Sequence, residues 1–130
     1  MTRLDHAVLV LAAVFGALAV LSGAFGAHAL KQMLDANLMQ VYQTAANYHL
    51  AHALALGLVG LLLRQSDNAE WAQRWFRRAA LLFLFGLLLF CGSLYALSLT
   101  GLRWLGMITP LGGVCFIAAW LALAFGASKR

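Results

Sequence analysis

Three histidines hold most of the chemistry this sequence can offer. His49 and His52 stand three residues apart inside an apolar run, and His28 lies just beyond the end of the run before it. Imidazoles at i and i+3 share a helix face. With a third from a neighbouring segment they have the spacing of a zinc or copper set. No Asp, Glu or Cys falls at that depth to complete it, so no metal is assigned. A haem held between helices needs imidazoles on two helices and cations for the propionates. Only Lys31 and Arg103 are near, so no cofactor is assigned either. A third reading is a polar pocket for a small molecule, a lipid headgroup, a quinone or a proton, because ionisable groups within a bilayer are functional by default. Against all three stands a plainer account of larger weight. In it the imidazoles, Asn47 and nearby hydroxyls bond helix to helix, at about 0.6–2 kcal/mol per bond.

No nucleophile–base pair, phosphate-cradling loop or paired carboxylate is present, so no catalytic residue is named and no enzyme is expected. Asp5, Asp35, Asp67 and Glu70 fall outside the apolar runs, which disfavours a pump driven by an intramembrane carboxylate. Cys91 and Cys115 lie within apolar runs, with no CxxC spacing, and read as small buried apolar residues.

Composition says what kind of framework carries these groups. Of 130 residues, 64% are hydrophobic and 10% charged, with a mean hydropathy of +0.86. Soluble domains run near 45–50% apolar and about 25% charged. A water-soluble globule, a disordered chain and a disulfide-stapled module are excluded. The net charge of +5 comes without an aromatic-and-basic platform, so nucleic acid is not expected as a partner. About 20 residues cross a bilayer as a helix. The apolar runs at 7–25, 44–63, 79–99 and 106–126 therefore read as four spans of a single membrane domain covering 1–130. The first run is longer than the roughly 7–15 apolar residues of a signal peptide, so it reads as retained. Residues 27–43 have apolar positions at helical spacing and read as a short interfacial helix or an extension of the second span, with Asp35 as a plausible N-cap. Pro110 falls in the first turn of the fourth span, where a missing N–H costs least.

Basic residues set the orientation. Arg3, Arg64, Arg74, Arg77, Arg78, Lys129 and Arg130 fall on one side of a four-span layout, and Lys31 and Arg103 on the other. The positive-inside rule then puts both termini in the cytoplasm of a multi-pass inner-membrane protein. In that frame the uncharged polar residues collect in the outer half of the bilayer. Ser22, Tyr42, Asn47, Tyr48, His49, His52, Ser93, Tyr95 and Thr109 all lie there, with His28 just outside. Helical phase puts Ala45, His49, His52, Ala53, Leu56 and Gly60 on one face of the second span, which should turn into the bundle. Small residues let helices approach closely in lipid. The stripe Ala12, Gly16, Ala19, Gly23 and Ala27 should pack against that face, with Gly86, Ser93 and the pair Gly112–Gly113 supplying contacts from the last two spans.

Two stretches carry a family pattern: GAFGAHAL at residues 23–30 and YQTAANYHLAHAL at residues 42–54. Together they resemble domain-of-unknown-function family 423, small bacterial inner-membrane proteins similar to the transmembrane protein 256 group. The resemblance implies a four-helix membrane protein and brings no activity, substrate or cofactor. It singles out Gly23, Gly26, His28, Tyr42, His49 and His52.

The expected protein is an all-α, four-helix membrane bundle. A His-lined recess opens to the periplasm, with Ser22, His28, Tyr42, Tyr48, His49, His52 and Tyr95 as its ligand-binding residues. A partner protein or a small amphiphile is the expected occupant. Membrane lipids, a second copy of the chain or another membrane protein are the partners this admits. The alternatives are a metal- or haem-binding redox accessory protein and a homo-oligomeric channel subunit.

Overall fold

The helix boundaries follow local chemistry. Asp35 Oδ1 accepts the Leu38 N–H at 2.8 Å and caps the second helix. At the first helix, the Thr2 N–H donates to Asp5 Oδ2 at 2.9 Å. Gly101, with φ 72°, closes a later helix in the left-handed conformation that a side chain would oppose. Pro110 sits in the first turn of the last helix, as its missing N–H requires.

The computed structural model describes residues 2–66 and 68–129. Asp67 and Arg130, used above for span limits and charge, lie outside the described residues. Helix α1 runs Arg3–His28 and α2 runs Ala36–Gln65, joined through one 3₁₀ turn at Leu30–Gln32. Helix α3, Glu70–Gly86, continues through a π-helical turn, Leu87–Cys91, into α4, Gly92–Thr100. A second 3₁₀ turn, Arg103–Met107, leads to α5, Thr109–Ala127. Among the described residues no strand occurs. Four helical stretches, Arg3–His28, Ala36–Gln65, Glu70–Thr100 and Arg103–Ala127, are long and apolar enough to cross a membrane. Instead of a separate interfacial helix between the first two spans, one 3₁₀ turn is followed by α2, which starts eight residues before the apolar run. Between Ala36 and Gln43 no Gly or Pro interrupts the helix that Asp35 caps.

Helix α1 packs along α2 and α5 along α3, and the two pairs meet where α2 lies against α3, the π turn and α4. Leu56, Val59, Leu63, Phe83 and Phe116 form the centre of the core. Small residues set the closest approaches. Gly60 receives Leu9, Gly86 receives Phe116, and Gly126 receives Phe76. Gly112 lies against the backbone of Phe90 in the π turn. Outside, Val10, Val20, Leu54, Leu88, Val114 and Ile117 are exposed all round the bundle. Such a surface suits acyl chains rather than water.

Candidate functional site

Helix α2 turns Ala45, His49, His52, Ala53, Leu56 and Gly60 inward together, and all six are buried, as their helical phase predicts. His52 Nδ1 lies 2.8 Å from the carbonyl oxygen of Tyr48. A carbonyl only accepts, so Nδ1 carries the proton. Nε2 is then free to accept from the Trp120 indole N–H at 3.2 Å. The imidazole lies flat on Phe116, with centroids 3.7 Å apart, and Tyr48 stacks at 5.6 Å. Both ring nitrogens of His52 are thus engaged within the protein.

His49 begins a second chain. Its Nδ1 is 2.9 Å from the Tyr95 hydroxyl on α4. The Tyr95 ring meets Tyr42 edge-on at 5.1 Å, and the Tyr42 hydroxyl donates to the Ser22 carbonyl of α1 at 2.6 Å. Three helices are linked by four residues. His49 Nε2 is buried beside Phe15 without a hydrogen bond of good geometry. Ser93 and Thr109, 2.7 Å apart, tie α4 to α5 nearby.

Of the seven residues singled out by sequence, six fall into these two groups: Ser22, Tyr42, Tyr95 and His49 in one, Tyr48 and His52 in the other. His28 does not join them. It is exposed in the last turn of α1, because the phase that buries Ala12, Ala19 and Gly26 turns position 28 outward. The two buried imidazoles share one helix. Among the described residues no three His, Cys, Asp or Glu side chains come together as a metal set.

Two recesses open at this end of the bundle, and the smaller, of about 300 Å³, is lined by three of the seven, Ser22, Tyr42 and Tyr95, among others. A cavity of about 420 Å³ opens between α1 and α2, lined by Gly23, Gly26, Lys31, Tyr42, Gln43 and Asn47 among others. The three histidines are not among its lining residues; the buried pair faces the bundle interior. Further along the same two helices lies an apolar hollow of about 560 Å³, lined by residues that include Leu9, Ala13, Gly16, Ala53, Gly57 and Leu61. Residues 9, 13, 16, 23 and 27 share one face of α1, and 39, 43, 46, 57 and 61 share one face of α2. The two hollows therefore lie on one seam. The small-residue stripe of α1 was expected to be a packing face, yet only part of it packs. Ala12 and Ala19 are buried, while an added Cβ at Gly16 or Gly23 would meet nothing within 4 Å.

A second polar centre lies at the end of the bundle that carries the termini. Asp5 is fully buried, and its carboxylate receives Arg77 Nε at 3.3 Å and Nη2 at 3.4 Å. Nη2 also reaches the Thr2 hydroxyl at 3.4 Å. Asp5, read from sequence as outside the first span, lies within the first turn of α1. The signal was available: Asp5, Val8 and Ala12 follow at i, i+3 and i+7, one buried stripe.

Four membrane-length helices, joined at the buried polar positions and without a recognisable catalytic constellation among the described residues, define a small integral membrane protein. The family model described as "Protein of unknown function (DUF423)" matches residues 22–113, a stretch that includes all seven candidate residues. A UPF0382 membrane protein, SSP2132, of Staphylococcus saprophyticus is 41% identical over 93% of this chain and 96% of its own. The UPF0382 membrane protein YwdK of Bacillus subtilis is 40% identical over 93% and 95%. The UPF0382 inner membrane protein YgdD of Escherichia coli K12 is 39% identical over 93% and 88%. This chain belongs to the DUF423 family. None of these names states an enzymatic activity. No solved structure matches the chain.

Proposed function

We propose that this protein binds a membrane-soluble amphiphile in the seam between α1 and α2, without chemical turnover. Both termini lie in the cytoplasm, so the Lys31 end faces the periplasm. The observation that carries this reading is the pairing of two hollows on one seam. One is polar and offers Lys31, Gln43 and Asn47. The other is apolar and floored by Gly16 and Gly57. A headgroup matches the first and an alkyl chain the second. His49 serves as a positioning residue, holding the wall of the polar hollow through Tyr95 and Tyr42, while His52 fixes α2 against α5 through Trp120 and Phe116.

The test is native mass spectrometry of the detergent-extracted full chain. The wild-type protein is expected to retain a lipid-like mass. Gly16→Leu, which fills open space, and Lys31→Gln, which removes the cation lining the polar hollow, are each expected to release it without lowering thermal stability. Retention unchanged in both variants refutes the reading. A Soret band or stoichiometric metal in the purified protein would favour a redox accessory role instead. A dimer that Gly16→Leu dissociates would put a second copy in the seam.

A further inference from the structure

We propose a second site, on α3 at the opposite end of the bundle, for the phosphodiester headgroup of an anionic phospholipid. It stands independently of the seam between α1 and α2. Positions 70, 73, 74, 77, 78 and 81 of α3 fall on one helix face, and they line a recess of about 390 Å³. Two of its three guanidinium groups are held in place. Arg77 is fixed by the fully buried Asp5 carboxylate. Arg78 lies 4.7 Å over the ring of Trp75, which packs on Phe125 at 5.3 Å and on Trp71 at 5.7 Å. Tryptophans in such positions settle at headgroup depth.

The charge count favours a singly charged guest. Asp5 answers Arg77, and Glu70 stands one turn before Arg74 on the same face. Among the described residues that line the recess or pair with its arginines, three cations meet two carboxylates, leaving one positive charge. A phosphodiester brings one negative charge and the paired oxygens that a guanidinium fork recognises. A zwitterionic headgroup adds a cation of its own and forfeits that match. Below the recess the same stretch of helix turns apolar. Leu81, Phe85 and Leu88 are each about half exposed or more, in successive turns. They form a track for the acyl chain beneath the headgroup. A cluster of arginines that served insertion topology alone would not require a fixed Arg77, a ring-stacked Arg78 or an apolar track aligned with them.

The experiment uses the full chain in mixed micelles with either phosphatidylglycerol or phosphatidylcholine, read by native mass spectrometry. Retention of phosphatidylglycerol over phosphatidylcholine is expected. Each exposed arginine near a membrane surface is worth about fivefold in anionic-lipid affinity. The pair Arg74→Gln and Arg78→Gln should therefore weaken phosphatidylglycerol retention by more than tenfold. Arg103→Gln, exposed at the far end and outside both sites, should leave it unchanged. Should the pair fail to fold, Arg78→Gln alone carries the test, with about a fivefold loss expected. Equal retention of the two lipids, or undiminished phosphatidylglycerol retention in a folded arginine variant, overturns the proposal. A loss in Arg103→Gln equal to that in the arginine variant would show general charge attraction rather than a site on α3, and would overturn the proposal.

Discussion

Gly112→Ala and Gly16→Ala add the same methyl group to two helices with opposite expected results. At Gly112 the new Cβ would lie 2.7 Å from both Cα and Cβ of Phe90. Carbon atoms are comfortable at about 3.5–4.0 Å, and the Phe90 backbone nitrogen is closer still, so α5 would have to retreat by at least about 0.8 Å. The obstacle includes backbone, and no rotamer change removes it. Overpacking costs about 1–3 kcal/mol, and a rigid obstacle puts this site near the upper end. Helix propensity returns at most about 1 kcal/mol. A net loss of about 2–3 kcal/mol is expected. At Gly16 the added Cβ meets nothing within 4 Å. Only the propensity term operates there, and the change should lie between zero and a gain of about 1 kcal/mol. Reversible unfolding in detergent, followed by circular dichroism, measures both. A Gly112→Ala protein within about 0.5 kcal/mol of wild type, the scatter of ordinary surface changes, would refute the close contact at the π turn. A Gly16→Ala loss above about 1 kcal/mol would refute the open seam.

The polar centres give two further expectations. His52→Phe keeps a ring on Phe116 but loses the bonds to Trp120 and Tyr48, a loss of roughly 1 kcal/mol. His52→Ala also leaves a cavity and should lose about 2–4 kcal/mol; unfolding in detergent should give that order, and equal losses would mean the stack contributes nothing. Asp5→Ala strands Arg77, which is 32% exposed. The several kcal/mol of a fully buried broken pair therefore shrinks to roughly 1–3 kcal/mol. A double-mutant cycle with Arg77→Ala should show coupling of at least about 0.5 kcal/mol, and additive losses would show that the two groups do not interact.

The membrane class and the inward face of α2 could be read directly from the sequence, because burial in lipid imposes long apolar runs and a 3.6-residue phase. Asp35 and Pro110 could be read because capping and proline chemistry are local. What stayed hidden depends on distant partners. Arg77 is 72 residues from Asp5, and no short-range pattern joins them. The π turn lies in LLLFC, a segment as apolar as its flanks, so composition gives no sign of it. Depth and the GAFGAHAL motif group His28 with His49 and His52, and neither says which way a side chain turns. The half-open stripe of α1 has the same origin. Small residues permit close approach but do not require it, and at Gly16 and Gly23 no neighbour takes the space.

The seam between α1 and α2 opens sideways, with Leu54, Leu58 and Leu61 exposed along its rim. Anything that arrives at Gly16 has first to dissolve in the hydrocarbon. Partitioning from water would then govern occupancy as much as the fit itself. Under the proposed function, a freely soluble metabolite would meet only the Lys31 end, while a sparingly soluble one would concentrate in the bilayer beside the apolar hollow.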